Sequence, residues 1–468
     1  MNAGSDGGSS RLRKNNDGGF GPRIGRRDLL RYTGAAGLAA AVAPVIAACS
    51  SGGGGGSGGA GAASATSGSS VSLAQLKKLL DFDPKYSGAG QKYNVGAILP
   101  LTGTGSFYGG VMTHGIDLAV QHIKQLGGPT FVMNEKDNKS GDAVAGVSAL
   151  RELNGAGIDM FVSSYIADEY ALLPGIQQYK MFALEIGEQQ VTPQVKAIPY
   201  YWSGIEALGG INPLLYKYIQ ETQPKAKNLA YVSIELGTTI DNAGVAAAKQ
   251  WASKFGMEVS NVQFLPYGTT DFSGVLSKLS NSNFDALINN VTPGAGLFMR
   301  QYLQAGFTKP NYASNLLPSD VAVGRSAMSG MTVAGLLFDP DSAQLSPFGR
   351  FFRDAYYKDY GTKPLYPEAY GATAYDVMFQ FWQLIQEALR KKMPVNSDTL
   401  NSIAGGLTVK SVFGGTAESI ASWHWDPETH FPTGEQLGVY TLDGSKQSLS
   451  QVAVAGSDGV SGFSLLKS

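Results

Sequence analysis

A single cysteine, Cys49, in 468 residues leaves this chain no internal disulfide. Charge is scarce too: Asp, Glu, Lys and Arg make up 16% of the sequence, and 36 bases against 37 acids leave a net charge near −1. No Lys/Arg cluster reads as a nucleic-acid surface, and no apolar run beyond residue 48 reads as a membrane span. Histidine is rarer still. His114 and His122 lie eight apart on one predicted helix, too far for the i, i+4 ligand pair of an H-E-x-x-H site. His424, between Trp423 and Trp425, and His430 make up the four. There is no G-x-S-x-G elbow, no P-loop and no G-x-G-x-x-G after a strand; Gly103-Thr104-Gly105 lacks the third glycine. These absences speak against an enzyme, a cofactor and a metal, and the fold must stand without covalent or metal cross-links.

What is present begins with an address. Arg26-Arg27-Asp28-Leu29-Leu30-Arg31 is a twin-arginine pair ahead of the uncharged apolar run Gly34–Ala48. That run has 15 residues. A membrane-spanning helix needs about 20, so it suits a signal-peptide core instead. It ends in Ile46-Ala47-Ala48-Cys49-Ser50, where small residues fit a peptidase cleft and the thiol can take a lipid. Residues 1–48 are thus expected to be a signal, with cleavage before Cys49. At roughly 0.8 kcal/mol per buried CH₂, a two-chain lipid on Cys49 would anchor the protein stably. Ser51 to about Ser70 is almost only Gly, Ser and Ala, which cannot bury enough apolar surface to order itself. Residues 49–91 are therefore assigned to a lipidated cysteine and its tether.

The remaining length suggests two domains. Tyr93–Pro100 is a continuous apolar strand of the kind covered by helices on both faces. Strands at 131–135, 159–164 and 182–186 follow, alternating with helical patterns at 111–125, 142–154 and 169–179. The pattern then restarts with strands at 228–234, 259–264, 285–290, 312–315 and 332–338. Two successive βαβ series argue for an α/β fold of two doubly wound parallel-sheet lobes joined by several crossovers. Helices at 347–360 and 368–390 and late strands at 409–413, 420–425 and 437–442 complete the pattern. Crossings near Gly209, Asp339 and Lys410 give 92–209 with 340–410 to the first lobe and 210–339 with 411–455 to the second. Residues 456–468 are left as a tail.

In open α/β sheets ligands bind outside the carboxyl ends of the strands. The first such loop reads Leu101-Thr102-Gly103-Thr104-Gly105-Ser106-Phe107-Tyr108-Gly109-Gly110. Its glycines allow close backbone approach, its hydroxyls bond adaptably, and Tyr108 offers a stacking face; the same composition is also ordinary turn chemistry. Thr102-Gly103 through Tyr108-Gly109 matches the form (S/T)-G-x-x-x-x-Y-G. Together with Ala374-Tyr375-Asp376, Phe413-Gly414-Gly415-Thr416 and Trp425-Asp426-Pro427, it resembles the leucine/isoleucine/valine-binding family of ABC-transporter solute receptors over about residues 93–455. The resemblance implies a type I periplasmic-binding-protein fold, a cleft ligand and ABC permease subunits as partners.

The departures bear on the ligand. Family members that bind amino acids place a serine pair after the third strand and T-P-A-(A/S)-T after the fourth. Here the corresponding stretches are Ser163-Ser164-Tyr165-Ile166-Ala167-Asp168 and Glu185-Ile186-Gly187-Glu188-Gln189-Gln190, and Leu316 falls where the family has its ammonium-binding glutamate. Asp168, Glu169, Glu185, Glu188, Glu235, Asp241 and Asp320 make the post-strand loops acidic, with no Lys or Arg counted there. Such a cleft disfavours anions. The expectation is a lipid-anchored, monomeric solute-binding protein on the extracytoplasmic face of the membrane, holding a small neutral polar or cationic solute. The alternative is a sensor that reports the solute to a membrane partner. The ligand-binding residues expected are Thr102, Ser106, Tyr108, Ser164, Tyr165 and Glu185 from the first lobe, and Thr239 and Asn290 from the second.

Overall fold

The computed structural model describes residues 70–466 except 104, 165, 187–192, 206–207, 236–237, 314 and 362–366. The expected signal (residues 1–48), Cys49 and the expected tether as far as residue 69 lie outside the described residues. Helix α1 (Leu73–Leu80) opens the ordered part: Ser72 Oγ accepts from Gln75 N while the Gln75 side chain accepts the Ser72 N–H. Leu76 and Leu80, four apart on one face, are fully buried, and Lys410 Nζ donates to the last carbonyls of α1, those of Leu79 and Leu80. Residues 71–91, expected to belong to the tether, are thus built into the first lobe.

The first lobe alternates β1 (Lys92–Leu99), α2 (Ser106–Gln125), β2 (Thr130–Asp137), α3 (Ala143–Gly155), β3 (Met160–Ser163), α4 (Ile166–Tyr179), β4 (Phe182–Glu185), α5 (Pro193–Lys196) and β5 (Tyr201–Ser203). Its strands are parallel in the order β2-β1-β3-β4-β5. Successive side chains go to opposite faces: Val95, Ala97 and Leu99 enter one core with Val162 and Leu184, whereas Ile98 enters another with Phe161, Ala183 and Tyr201. Burial on both faces is why these strands read as unbroken apolar runs.

The second lobe takes α6 (Leu208–Thr222), β6 (Asn228–Ile234), α7 (Thr238–Lys254), β7 (Glu258–Leu265), α8 (Ser273–Ser280), β8 (Ala286–Asn290), α9 (Ala295–Gln304), β9 (Asn311–Ala313), α10 (Pro318–Gly324) and β10 (Thr332–Leu336). The chain returns to the first core through Phe338 and builds α11 (Pro347–Tyr360), α12 (Pro367–Arg390), α13 (Ser397–Ala404) and a three-stranded sheet of β11 (Thr408–Thr416), β12 (Ser419–Trp425) and β13 (Pro432–Thr433). It ends with β14 (Gln436–Asp443), β15 (Ser448–Gly456) and β16 (Ser464–Leu465), which join the second lobe in the order β16-β15-β14-β10-β9-β8-β6-β7. That sheet is mixed, because β14 runs antiparallel to β10, and β15 and β16 continue the antiparallel run. Ser464–Leu465, within the stretch assigned to the C-terminal tail, forms its edge strand.

The chain first crosses between Ile205, in the first core, and Ile211, in the second lobe, and crosses back at Phe338, which follows β10 by two residues. The third crossing does not lie near Lys410. Val412, Phe413, Trp423 and Trp425 are buried in the first core, so 411–433 stays with that lobe and the chain crosses at Gly434, where φ is +91°. A buried carboxylate fixes this. Asp376 of α12 accepts from Val412 N (2.8 Å), Ser411 Oγ (3.0 Å) and Gln380 Nε2 (2.9 Å), and Gln380 Nε2 also donates to the Gly204 carbonyl (3.1 Å) beside the first crossing. Burial pushes the Asp376 carboxyl up to about 6, and these three bonds oppose the rise.

Candidate functional site

The carboxyl ends of β1, β2, β3 and β4 bring the first-lobe residues together, and two close backbone approaches set the geometry. A Cβ on Gly109 would lie 2.3 Å from the Pro100 carbonyl oxygen, and one on Gly115 only 2.1 Å from that of Gly371. Glycine at 109 thus seats the first turn of α2 against the end of β1, and glycine at 115 lets α2 touch α12 backbone to backbone. The consequence is local. Tyr108, two turns before Gly115, meets Tyr370, next to Gly371, edge to face with ring centroids 4.6 Å apart. Phe107 packs on Tyr108 in the same manner at 5.8 Å and is itself exposed.

The loop leading into α2 is clamped by the loop after β2. Asp137 accepts from Leu101 N (3.0 Å), Thr102 N (3.2 Å), Thr102 Oγ1 (2.5 Å) and Lys139 N (2.7 Å). Ser140 Oγ donates to the Thr102 carbonyl (2.6 Å) and accepts from Gly105 N (2.8 Å). What burial Asp137 has raises its carboxyl, but the hydrogen bonds outweigh this and hold it below its ordinary range. Lys139 and Ser140 adopt φ of +53° and +62°, a conformation that strains L-residues, held here by the clamp. Lys139 also corrects the charge reading: the loop after β2 carries a base, so the post-strand loops are not wholly acidic.

The other expected residues fall in different settings. Thr102 spends its hydroxyl on Asp137, and Ser106 is exposed in the first turn of α2. Ser164 is buried, its hydroxyl against Met112 Sδ (3.3 Å) and its carbonyl taken by Asn138 Nδ2 (2.8 Å). Glu185 ends β4 in register between Ser163 and Ser203, fully buried, with its carbonyl accepting from Gly204 N (2.7 Å). Tyr165 lies outside the described residues, as does Glu188, and Thr239 is described only as part of α7. Asn290 ends β8 and hydrogen-bonds Tyr231, whose hydroxyl burial pushes up. Asp320 caps α9: burial raises its carboxyl, against the N–H groups of Gly294 (2.9 Å), Ala295 and Gly296.

Sequence reasoning missed Asp137, Asn138 and Ser140, though the polar run Asp137-Asn138-Lys139-Ser140-Gly141 is a turn signal that could have found them. It also missed Tyr370 and Asn315, for which no local signal exists. Tyr370 Oη donates to Asn315 Oδ1 (2.9 Å), linking α12 of the first lobe to the loop after β9 of the second. Among the described residues no cluster of His, Cys, Asp or Glu could hold a metal, and no helix is long and apolar enough to cross a membrane.

The periplasmic-binding-protein family model matches residues 92–432, the stretch that carries the first-lobe sheet, the parallel strands β6 to β10 of the second lobe and the clamp. The chain belongs to that family. It is a periplasmic binding protein, not an enzyme. No curated protein matches it. Its fold is similar to solved structures of low identity. An amino acid ABC transporter substrate-binding protein from Pseudomonas fluorescens Pf-5 is 15% identical, with 81% of this chain and 100% of that one covered and a TM-score of 0.65. A branched-chain amino acid transporter substrate-binding protein from Streptococcus pneumoniae, in complex with isoleucine, is 19% identical (77% and 100% covered, TM-score 0.63). A solute-binding protein of an ABC transporter from R. palustris, in complex with benzoate, is 16% identical (78% and 96% covered, TM-score 0.64).

Proposed function

We propose that this periplasmic binding protein is a lipid-anchored receptor that closes its two lobes on a small neutral polar or cationic solute and passes it to the permease of an ABC importer. The observation that carries this reading is the convergence on one rim of the clamped loop 101–105, the ring pair Tyr108–Tyr370 and the second-lobe residue Asn315. The rings offer an apolar face, and the exposed Ser106 hydroxyl and the Asn315 amide supply uncharged polar partners, the mixture typical of small-molecule sites. Isoleucine, bound in a related fold, joins an apolar body to a zwitterionic head with no net charge, which suits such a wall.

A thermal-shift panel of L-leucine, L-phenylalanine, choline, benzoate, glutarate and phosphate tests the solute class. A ligand at 100 times its dissociation constant adds about 2.7 kcal/mol of stability, which shows as a clear shift. Shifts are expected from L-leucine, L-phenylalanine or choline. A response to benzoate, glutarate or phosphate alone overturns the solute class. The anchor is tested separately. Cys49→Ala should leave the protein uncleaved or released, and replacing Arg26-Arg27 by Lys-Lys should block export. Membrane retention of processed Cys49→Ala refutes lipidation at that residue.

A further inference from the structure

Tyr370 joins two features otherwise described separately: the ring pair on the first-lobe rim and the second lobe. Its ring is held by Tyr108, and its backbone by the close approach of Gly371 to Gly115. Its hydroxyl crosses to Asn315. The acceptor is fixed as firmly as the donor, because Asn315 Oδ1 also accepts from Leu316 N (2.7 Å), and Leu316 is fully buried in the second-lobe core. Donor and acceptor are thus each held by their own lobe, and the bond forms only when the lobes stand as they do here. The chain crossings lie elsewhere, near residues 205–211, 336–338 and 434.

We propose that Tyr370 and Asn315 are the pair that sets lobe closure, so that packing of the Tyr108–Tyr370 wall and docking of the second lobe are one event. Tyr370 acts here as a positioning residue. Swinging the second lobe away breaks the Tyr370–Asn315 bond, and disturbing the ring pair withdraws the donor. This rests on the reading of the protein as a two-lobed receptor that opens and closes.

The test needs no solute. Nitroxide labels on Val144→Cys in α3 and Val323→Cys in α10, both exposed and on different lobes, report the lobe separation by pulsed electron–electron resonance. The full chain carries Cys49→Ser, so these are its only thiols. Tyr370→Phe keeps the ring and removes the donor; Asn315→Ala removes the acceptor. Each should lower the ratio of short to long separations about five-fold, as the net worth of one hydrogen bond implies. The double variant should do no more than either single one, because both remove the same bond. Thermal midpoints should stay near the parent's, which separates closure from general stability. Unchanged separations, a parent already at the long separation, or additive effects of the two changes overturn the proposal. A solute panel answered only by an anion would instead sink the proposed solute class and leave these separations meaningful.

Discussion

Adding one methyl group at two glycines of the same helix should have opposite effects. Gly110 and Gly115 both lie in α2, where alanine is favoured over glycine by about 1 kcal/mol through helix propensity. At Gly110 a Cβ meets nothing within 4 Å, so Gly110→Ala should stabilise the protein by roughly 0.5–1 kcal/mol. At Gly115 the new carbon would sit 2.1 Å from the Gly371 oxygen, 2.9 Å from its carbonyl carbon and 3.1 Å from its Cα. Carbon contacts are comfortable at about 3.5–4.0 Å, so α2 and α12 must part by more than an ångström. The obstacle is backbone and cannot rotate away. Overpacking of this kind costs typically 1–3 kcal/mol and sometimes more, which exceeds the propensity gain. The propensity gain is common to both substitutions, so the gap between them should be about 1–3 kcal/mol, leaving Gly115→Ala net destabilising by up to about 2 kcal/mol. Urea unfolding with unchanged m-values measures it. If Gly115→Ala is as stable as Gly110→Ala, the close approach of the two helices, and with it the account of how Tyr108 meets Tyr370, is wrong.

Two further tests concern titrating groups. Asp137→Ala should release the loop 101–105, seen as faster amide exchange at Leu101 and Thr102 with little change at the core strands; protection equal to the parent's would refute the clamp. Because the folded Asp137 carboxyl lies below its ordinary range, its contribution is full at neutral pH and is lost as pH falls through the folded value, so the parent's loop should loosen in acid. His122, buried against the Tyr375 hydroxyl (2.8 Å), is lowered by burial to about 4. Its neutral form is the one the fold accommodates. Stability from this group is complete above about 6.5 and declines towards about 4, a loss on the order of 3 kcal/mol, and His122→Gln should flatten that stretch of the stability–pH curve. A curve with the parent's slope in the variant would contradict it.

The sequence was informative wherever the determining interactions are local or periodic. Apolar runs such as Tyr93–Pro100 marked strands buried on both faces, the restart of the βαβ pattern marked two lobes, and the loop from Thr102 to Tyr108 marked the first sheet's carboxyl edge. It misled where a residue's setting depends on distant chain. The strand around Val412 goes to the first lobe because Asp376, 36 positions earlier, binds its amide, and nothing local to Lys410 records that. Leu76 and Leu80 read as an extension of the tether until the face they cover is known. Glu185 read as a loop residue, yet it is the last residue of β4 and fully buried, since burial is a property of the whole packed lobe. Periodicity determined the layers, and the motifs from Thr102 to Pro427 carried the family resemblance. Only the tertiary structure decided that Thr102 serves Asp137 and that Tyr370 reaches across 55 residues of sequence to Asn315, because such pairs form only after the helices and sheets have packed.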